Sequence, residues 1–189
     1  GASNEKVGGL DGYIRALPAT VVEDIYEIFS PTSPRNPFRT KALQWRNYLM
    51  FLLMLHLGLR RGEIAILPAD AIKSDFDIAT GGEKFWLNVA ESPYEDEDSR
   101  FNAPSLKTAH SRRQLPLTEE IVSVSDILLG NYRHGAPHSY LFGSQHGKAL
   151  SLRSIHRVFE VANEHLSPSA KKALAARNKL GITAHDLRH

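Results

Sequence analysis

The sequence contains no cysteine and no apolar stretch long enough to cross a bilayer. Without cysteine the chain has neither disulfides nor thiolate chemistry, which favours an intracellular origin. The longest apolar run, LMFLLMLHLGL at 49–59, is shorter than the roughly 20 residues that a membrane helix needs, and it contains a histidine. We therefore expect no membrane partner.

Net charge is also low, but the charges are unevenly distributed. The 189 residues carry 23 Lys and Arg against 21 Asp and Glu. Residues 1–105 have a net charge of −4, and residues 106–189 have a net charge of +6. Such an asymmetry is typical of a chain in which one half faces a polyanion. Ordinary solvated surface charge is the alternative interpretation.

Length and composition predict a single globular domain. Hydrophobic residues make up 42% of the chain and charged residues 23%, a balance that supports a buried core. We interpret residues 1–14, which begin GASNE without a methionine, as a tag remnant and N-terminal linker. Residues 15–189 then form the domain.

Hydrophobic periodicity predicts a mainly α fold with one small sheet. A capping box of Thr20 and Glu23 places the start of the first helix. The segment from Ala42 to Leu57 is apolar nearly all round, which indicates a buried central helix that Gly58 ends as a left-handed cap. Further helices are predicted over 61–67, over 119–129, from Ser151, from Ser167 to near Gly181, and after Thr183.

Alternating apolar residues predict a three-stranded antiparallel sheet. Phe76 and Ile78 precede a TGGE turn, and Phe85, Leu87 and Val89 alternate after it, so the two segments form a hairpin. RRQLPL supplies a third strand, in which a proline indicates a sheet edge or a strand end.

The HDLRH motif at the end of the chain could bind an anion. His185 and Arg188 are three residues apart at a helix start, so they share a face near exposed backbone N–H groups. A guanidinium can bind two phosphate oxygens, and an imidazole can transfer protons near neutral pH. The alternative is a structural role for both.

Two further segments carry cations that could reach the same anion. In GLRRGE, Arg60 follows the glycine that breaks the central helix, and Glu63 could support it. Basic residues at a helix start oppose the helix dipole, so something other than helix stability placed them there. In KTAHSRRQLPL, Lys107 lies in a turn before a strand, where its ammonium could protonate a leaving oxygen.

Together the three segments resemble the tyrosine recombinase (phage integrase) family. That family has a G-L-R-x-x-E box, matched by GLRRGE; a K-T-x-x-S-R-R-x-x-P-L hairpin, matched by KTAHSRRQLPL; and an H-x-L-R-H box, matched by HDLRH. The resemblance covers about residues 15–189. It implies the catalytic fold of DNA breaking-rejoining enzymes, mainly helical with a small antiparallel sheet.

The resemblance implies site-specific DNA recombination or integration without a metal or other cofactor. A tyrosine would attack the scissile phosphate and form a 3′-phosphotyrosine while the 5′-hydroxyl leaves. Arg60 and Arg188 would bind the non-bridging oxygens, Lys107 would be the general acid, and His185 would assist proton transfer. We call these four residues the phosphate clamp; Glu63 and His189 would support it.

The chain departs from the family pattern after its last motif. The family's second His or Trp and its nucleophilic tyrosine follow H-x-L-R-H, whereas this chain ends at His189 and all its tyrosines lie upstream. The family's N-terminal DNA-binding domain is also absent from it. We therefore interpret residues 15–189 as a catalytic domain truncated before its nucleophile, which should bind DNA weakly and cut nothing.

The expected partner is double-stranded DNA. Lys148, Arg153 and Arg157 lie at and before a helix start, where they could contact backbone phosphates. The Lys171–Lys179 group is interpreted as a solvated face, and the acidic run Glu95–Asp98 should point away from DNA. The resemblance implies a homotetramer on DNA for the full-length protein, a monomer for this chain, and action in the cytoplasm, on the bacterial nucleoid or from a phage or mobile element.

Three alternatives remain. His185 and His189 have the i,i+4 spacing of zinc-binding helices, although an arginine stands between them and no third ligand is evident. A non-catalytic DNA-binding module could keep the same fold without a nucleophile. A type IB topoisomerase would use the same chemistry to relax supercoils, although the small size and compact spacing favour a recombinase.

Overall fold

The computed structural model describes residues 16–90, 112–132, 140–144, 146 and 148–188. The helices are α1 (Ala19–Phe29), α2 (Lys41–Leu57), α3 (Arg61–Ile66), α4 (Glu119–Asn131), α5 (Leu152–Glu164), α6 (Pro168–Ala175) and a 3₁₀ helix (His185–Arg188). The strands are β1 (Ile72–Asp77), β2 (Gly82–Ala90) and β3 (Arg112–Pro116). The predicted mainly α fold with a three-stranded antiparallel sheet is confirmed.

Helix α2 is the buried centre of the domain, as its apolar sequence predicts. Residues 49–54 are fully buried along it. The Thr40 side chain accepts a hydrogen bond from the Leu43 N–H and caps its start. Gly58 ends the helix with φ 69°, a conformation that costs a residue without Cβ little. This sharp end makes Arg60 emerge at the edge of the core.

Aromatic rings join three helices in the core. The Phe29 ring on α1 stacks on the Phe51 ring of α2 with 4.8 Å between centroids, and it lies 5.8 Å from the Phe159 ring of α5. The predicted capping box at Thr20 is wrong. Helix α1 begins at Ala19 because the Pro18 carbonyl already accepts bonds from the backbone N–H groups of the next turn.

A buried carboxylate fastens α1 to the junction between α5 and α6. Asp24 is 8% exposed and accepts hydrogen bonds from the Arg35 guanidinium and from the Ser167 N–H, the latter at 2.9 Å. Arg35 also donates to the His165 carbonyl at 3.0 Å. Burial alone would raise the pKa of Asp24, but these bonds outweigh it and lower the pKa. The network therefore links segments more than 100 residues apart in the chain.

The sheet has the order β1-β2-β3, and Leu87 on β2 pairs with Ile72 on one side and Leu115 on the other. The hairpin prediction is confirmed, and so is the edge strand that ends at Pro116. Within the sheet, the end of β1 differs from the prediction. The strand ends at Asp77, so Ile78 lies in the turn and is 88% exposed, because the Asp77 side chain and carbonyl bind the turn N–H groups.

Helix α6 is shorter than predicted. Ser167 caps it as expected, by accepting from the Ala170 N–H at 3.1 Å. It ends at Ala175 instead of near Gly181, because Asn178 adopts φ 58° and the Lys179 N–H bonds back to the Leu174 carbonyl. This is a Schellman motif with asparagine in the place of the usual glycine. The chain reverses there and runs back along α5.

Candidate functional site

The first and last predicted motifs meet in the structure. The Arg188 Nε donates a hydrogen bond of 3.0 Å to the Gly58 carbonyl, across 130 residues of sequence. Gly58 is the cap of α2 and lies two residues before Arg60. The Arg188 side chain therefore contacts the backbone two residues before Arg60.

Arg60 is placed by the start of α3 and by Glu63. Arg60 is the N-cap residue of α3 with an exposed side chain, and its backbone N–H donates to Glu63 Oε1 at 2.9 Å. The Glu63 carboxylate thus contacts Arg60 at its backbone N–H. The second oxygen of Glu63 forms an ion pair with Arg113, with Nη2 at 2.8 Å.

Arg113 was missed by the sequence analysis, although the strand pattern contains a signal. Arg113 pairs with the buried Val89 on β2 and lies two residues from Leu115, so it occupies the face of β3 that looks toward the core. An arginine in a core-facing register position calls for an acidic partner. The carboxylate of Glu63 on α3 is that partner.

Within the described residues the last motif forms one 3₁₀ turn. His185 is exposed and Arg188 is partly buried, and residues three apart in a 3₁₀ helix lie one above the other. Thr183 caps the turn by accepting from the Asp186 N–H at 3.4 Å, and Asp186 forms an ion pair with Lys179. One turn has almost no macrodipole. Anion binding would come from the two side chains themselves.

Asn163 on α5 fixes the segment that leads into this turn. Its side-chain amide donates to the Ile182 carbonyl at 2.8 Å and accepts from the Ile182 N–H at 2.8 Å. A Cβ on Gly181 would lie 2.8 Å from the same amide. The close approach explains the glycine, and the paired bonds place His185 three residues later.

Replacing Asn163 by alanine should destabilise the fold by about 1–3 kcal/mol, because both Ile182 backbone groups lose a buried partner. The measurement is the urea midpoint of unfolding. Asn131→Ala is the matched control: Asn131 is exposed at the end of α4, so its substitution should change stability by less than about 0.5 kcal/mol. Equal midpoints for the two variants would show that the amide does not hold this segment.

The three predicted DNA contacts lie on α5 and in the loop before it. Lys148 is exposed in a tight loop that the bridge between Gly143 and Ala149 closes. Arg153 and Arg157 are exposed on the first two turns of α5. Arg157 lies 3.5 Å from a Glu160 oxygen and 3.8 Å from a Glu164 oxygen.

A partly buried arginine supports the Lys148 loop. Arg46 on α2 donates to the Gly143 carbonyl at 2.9 Å, and burial lowers its pKa to about 10. Beside it runs an open groove of about 590 Å³, lined by Phe38, Arg39 and Arg157 among others. The loop that carries Lys148 is therefore anchored to the central helix.

Several predictions fall outside the residues that the structure describes. Lys107, His189 and the acidic run at 95–98 are among them. Within the described ranges, no group of three or more His, Asp or Glu could hold a metal ion. In the same ranges no helix has the length and apolar character needed to cross a membrane.

Comparisons with known proteins place this arrangement in a family. The XerH site-specific recombinase bound to palindromic difH substrate, in a post-cleavage complex, superimposes with a TM-score of 0.55 at 17% identity over 92% of this chain and 40% of that one. The pre-cleavage complex of XerH with difH gives 0.54 at 19% identity, over 92% and 41%.

The chain thus spans about two fifths of the recombinase chains that it matches. At these identities the likeness shows the fold, which is that of the tyrosine recombinase catalytic domain. The search of curated proteins gave no match. Residues 16–189 match the phage integrase family, and the chain belongs to that family.

Proposed function

We propose that the full-length protein is a tyrosine recombinase that exchanges DNA strands through a 3′-phosphotyrosine, and that this chain supplies its phosphate clamp. The hydrogen bond from Arg188 to the Gly58 carbonyl carries the proposal, because it brings the H-x-L-R-H box against the G-L-R-x-x-E box. Membership of the phage integrase family supports it. The XerH neighbours are complexes with DNA substrates, which supports DNA as the partner.

In this mechanism the tyrosine oxygen forms a bond to phosphorus while the bond to the 5′-oxygen breaks. Arg60 and Arg188 neutralise the charge that grows on the non-bridging oxygens, and guanidinium groups suit this task because they donate two parallel hydrogen bonds. Lys107 gives its proton to the departing 5′-oxygen. His185 holds the phosphate and assists proton transfer. Reversal by a second strand's 5′-hydroxyl rejoins the DNA and frees the tyrosine.

The nucleophile is proposed to lie after His189. Among the described tyrosines, Tyr26 shares a hydrogen bond with His56, and Tyr48 donates to Glu120 at 2.9 Å. Burial and the neighbouring carboxylate raise the pKa of Tyr48, which disfavours the phenolate that would attack phosphorus. Both tyrosines have structural roles. This chain alone would bind DNA as a monomer and not cleave it, whereas the full-length protein would act as a tetramer in the cytoplasm.

The basic side of α5 should set the salt dependence of DNA binding. Lys148→Gln and Arg153→Gln should each reduce the slope of log Kd against log salt by about 0.9, the value for one lost phosphate contact. Arg157→Gln should reduce it less, because Glu160 and Glu164 already neutralise that guanidinium. Fluorescence anisotropy on a duplex measures the slope.

Lys172→Gln is the matched control for this titration, since Lys172 is an exposed cation on α6. We expect its slope to equal that of the unmodified chain. A common decrease for all four variants would indicate diffuse attraction and remove the α5 surface as the contact site.

The test of the proposed function uses the full-length protein, duplexes with two recombination sites, and a supercoiled plasmid. A recombinase forms a covalent protein–DNA product that phenol extraction retains, and it generates recombinant strands. A topoisomerase forms the covalent product and relaxes the plasmid without recombinants. A non-catalytic module binds the duplex and gives neither product, which would refute the proposal.

A further inference from the structure

Arg113 makes a contact whose position suggests a role in the reaction. Its partner, Glu63, is 5% exposed, whereas the Arg113 side chain is 47% exposed. Among the described residues, Glu63 has two polar partners: one oxygen accepts a hydrogen bond from the Arg60 N–H, and the other forms an ion pair with the Arg113 guanidinium. The carboxylate thus lies between the backbone of a clamp arginine and the last strand of the sheet.

The geometry makes Glu63 dependent on Arg113. A carboxylate taken out of water must be paired, or it becomes protonated or moves toward solvent. The Arg60 N–H is a neutral donor and satisfies one oxygen only. Arg113 supplies the opposite charge at 2.8 Å, and pairing of β3 with β2 fixes its Cα opposite Val89. Without Arg113, the Glu63 carboxylate would lose its charged partner, and its position beside the Arg60 N–H would no longer be fixed from the side of the sheet.

We propose that Arg113 is a positioning residue for Arg60: it holds the Glu63 carboxylate in place, and Glu63 fixes the backbone from which the Arg60 guanidinium projects. This inference rests on the proposed recombinase function. A reaction that depends on a guanidinium at phosphorus is sensitive to a shift of about 1 Å in that group, which can cost about 100-fold in rate.

The test compares strand cleavage by full-length Arg113→Gln, Arg113→Lys and wild-type protein on three substrates. One has the native scissile phosphate, one has a neutral methylphosphonate, and one has a 5′-bridging sulfur. On the native phosphate, Arg113→Gln should cleave about 10–100-fold more slowly than wild type. On the methylphosphonate the deficit should fall to about threefold or less, because that linkage carries no negative charge for Arg60 to neutralise.

The sulfur substrate separates Arg60 from Lys107. A thiolate leaves without a proton. This substrate therefore restores the cleavage rate of variants that lack the general acid, but not of variants that fail to neutralise charge on the phosphate. We expect the full deficit of Arg113→Gln to persist on it. Arg113→Lys should remain within about threefold of wild type, because it keeps a cation for the single contact to Glu63. Lys84→Gln, which removes an exposed cation from β2 of the same sheet, should leave all rates unchanged.

A double variant tests whether Arg113 and Glu63 act through one connection. Glu63→Gln with Arg113→Gln should be no slower than Glu63→Gln alone, because both changes break one connection. Equal losses on all three substrates, recovery on the sulfur substrate, or additive losses in the double variant would each overturn the positioning role. If wild-type protein forms no covalent product on any substrate, the recombinase assignment falls together with this inference. A wild-type rate in Arg113→Gln overturns this inference alone.

Discussion

Replacement of Arg188 by alanine in the full-length protein should slow DNA strand cleavage by about 10²–10³-fold. The guanidinium is proposed to stabilise the negative charge that develops on the scissile phosphate. Its Nε also bonds the last motif to the Gly58 carbonyl. Alanine removes both effects. Arg188→Lys should recover little of the rate, because an ammonium cannot bind two oxygens while it also bonds to Gly58. Single-turnover formation of the covalent complex is the measurement.

DNA affinity separates this effect from misfolding. The Arg188→Ala variant should bind the duplex within about tenfold of wild type, because the phosphate contacts proposed for α5 would supply most of the attraction. Lys171→Ala on α6 is a control for loss of one exposed positive charge and should cleave at the wild-type rate. Cleavage by Arg188→Ala within about fivefold of wild type would contradict a place for Arg188 in the phosphate clamp.

Replacement of Asp24 by alanine should cost about 3 kcal/mol of unfolding free energy. The change leaves the Ser167 N–H and the Arg35 guanidinium without their acceptor at the junction of α1 with α5 and α6. We place the value at the low end for a broken buried pair, because Arg35 keeps 34% of its side-chain surface in solvent. Urea unfolding measures it.

Asp126→Ala is the control, since Asp126 is exposed on α4 and should contribute less than about 0.5 kcal/mol. The same pair of variants tests the pH dependence. Folding lowers the pKa of Asp24 below 3.8, so its contribution is fully present above that pH. It is lost as the pH falls through the lowered value. Stability of Asp24→Ala should therefore decline less than that of wild type between pH 5 and pH 2, whereas Asp126→Ala should follow wild type.

Elements that depend on neighbours in sequence could be predicted, and those that depend on distant partners could not. Gly58 ends α2 because its own left-handed conformation is inexpensive, and Ser151 and Ser167 cap their helices through N–H groups three residues on. The start of α1 and the end of α6 were misjudged. At the first, the predicted capping box at Thr20 does not form, because Pro18 caps the helix. At the second, the helix ends early, because Asn178 adopts a left-handed conformation.

In the candidate site, too, the residue types could be predicted from the sequence, whereas their contacts with distant segments could not. The residue types in GLRRGE and HDLRH indicated phosphate chemistry, but only the fold shows that Arg188 reaches the Gly58 carbonyl. Arg113, by contrast, has no functional signature in the sequence motifs. Its strand register and its partner on α3 become visible only when the sheet packs against the helices, so a motif search passes over it.

The bond from Arg188 to Gly58 has a consequence for how the protein is made. It spans 130 residues and closes a loop of most of the chain, and contacts of such long range form late in folding because of their entropic cost. While the polypeptide is still leaving the ribosome, α2 and the sheet can fold, yet the two arginine segments stay apart until residue 188 has emerged. A nascent chain that has not yet reached residue 188 therefore cannot bring the Arg188 side chain to the Gly58 carbonyl.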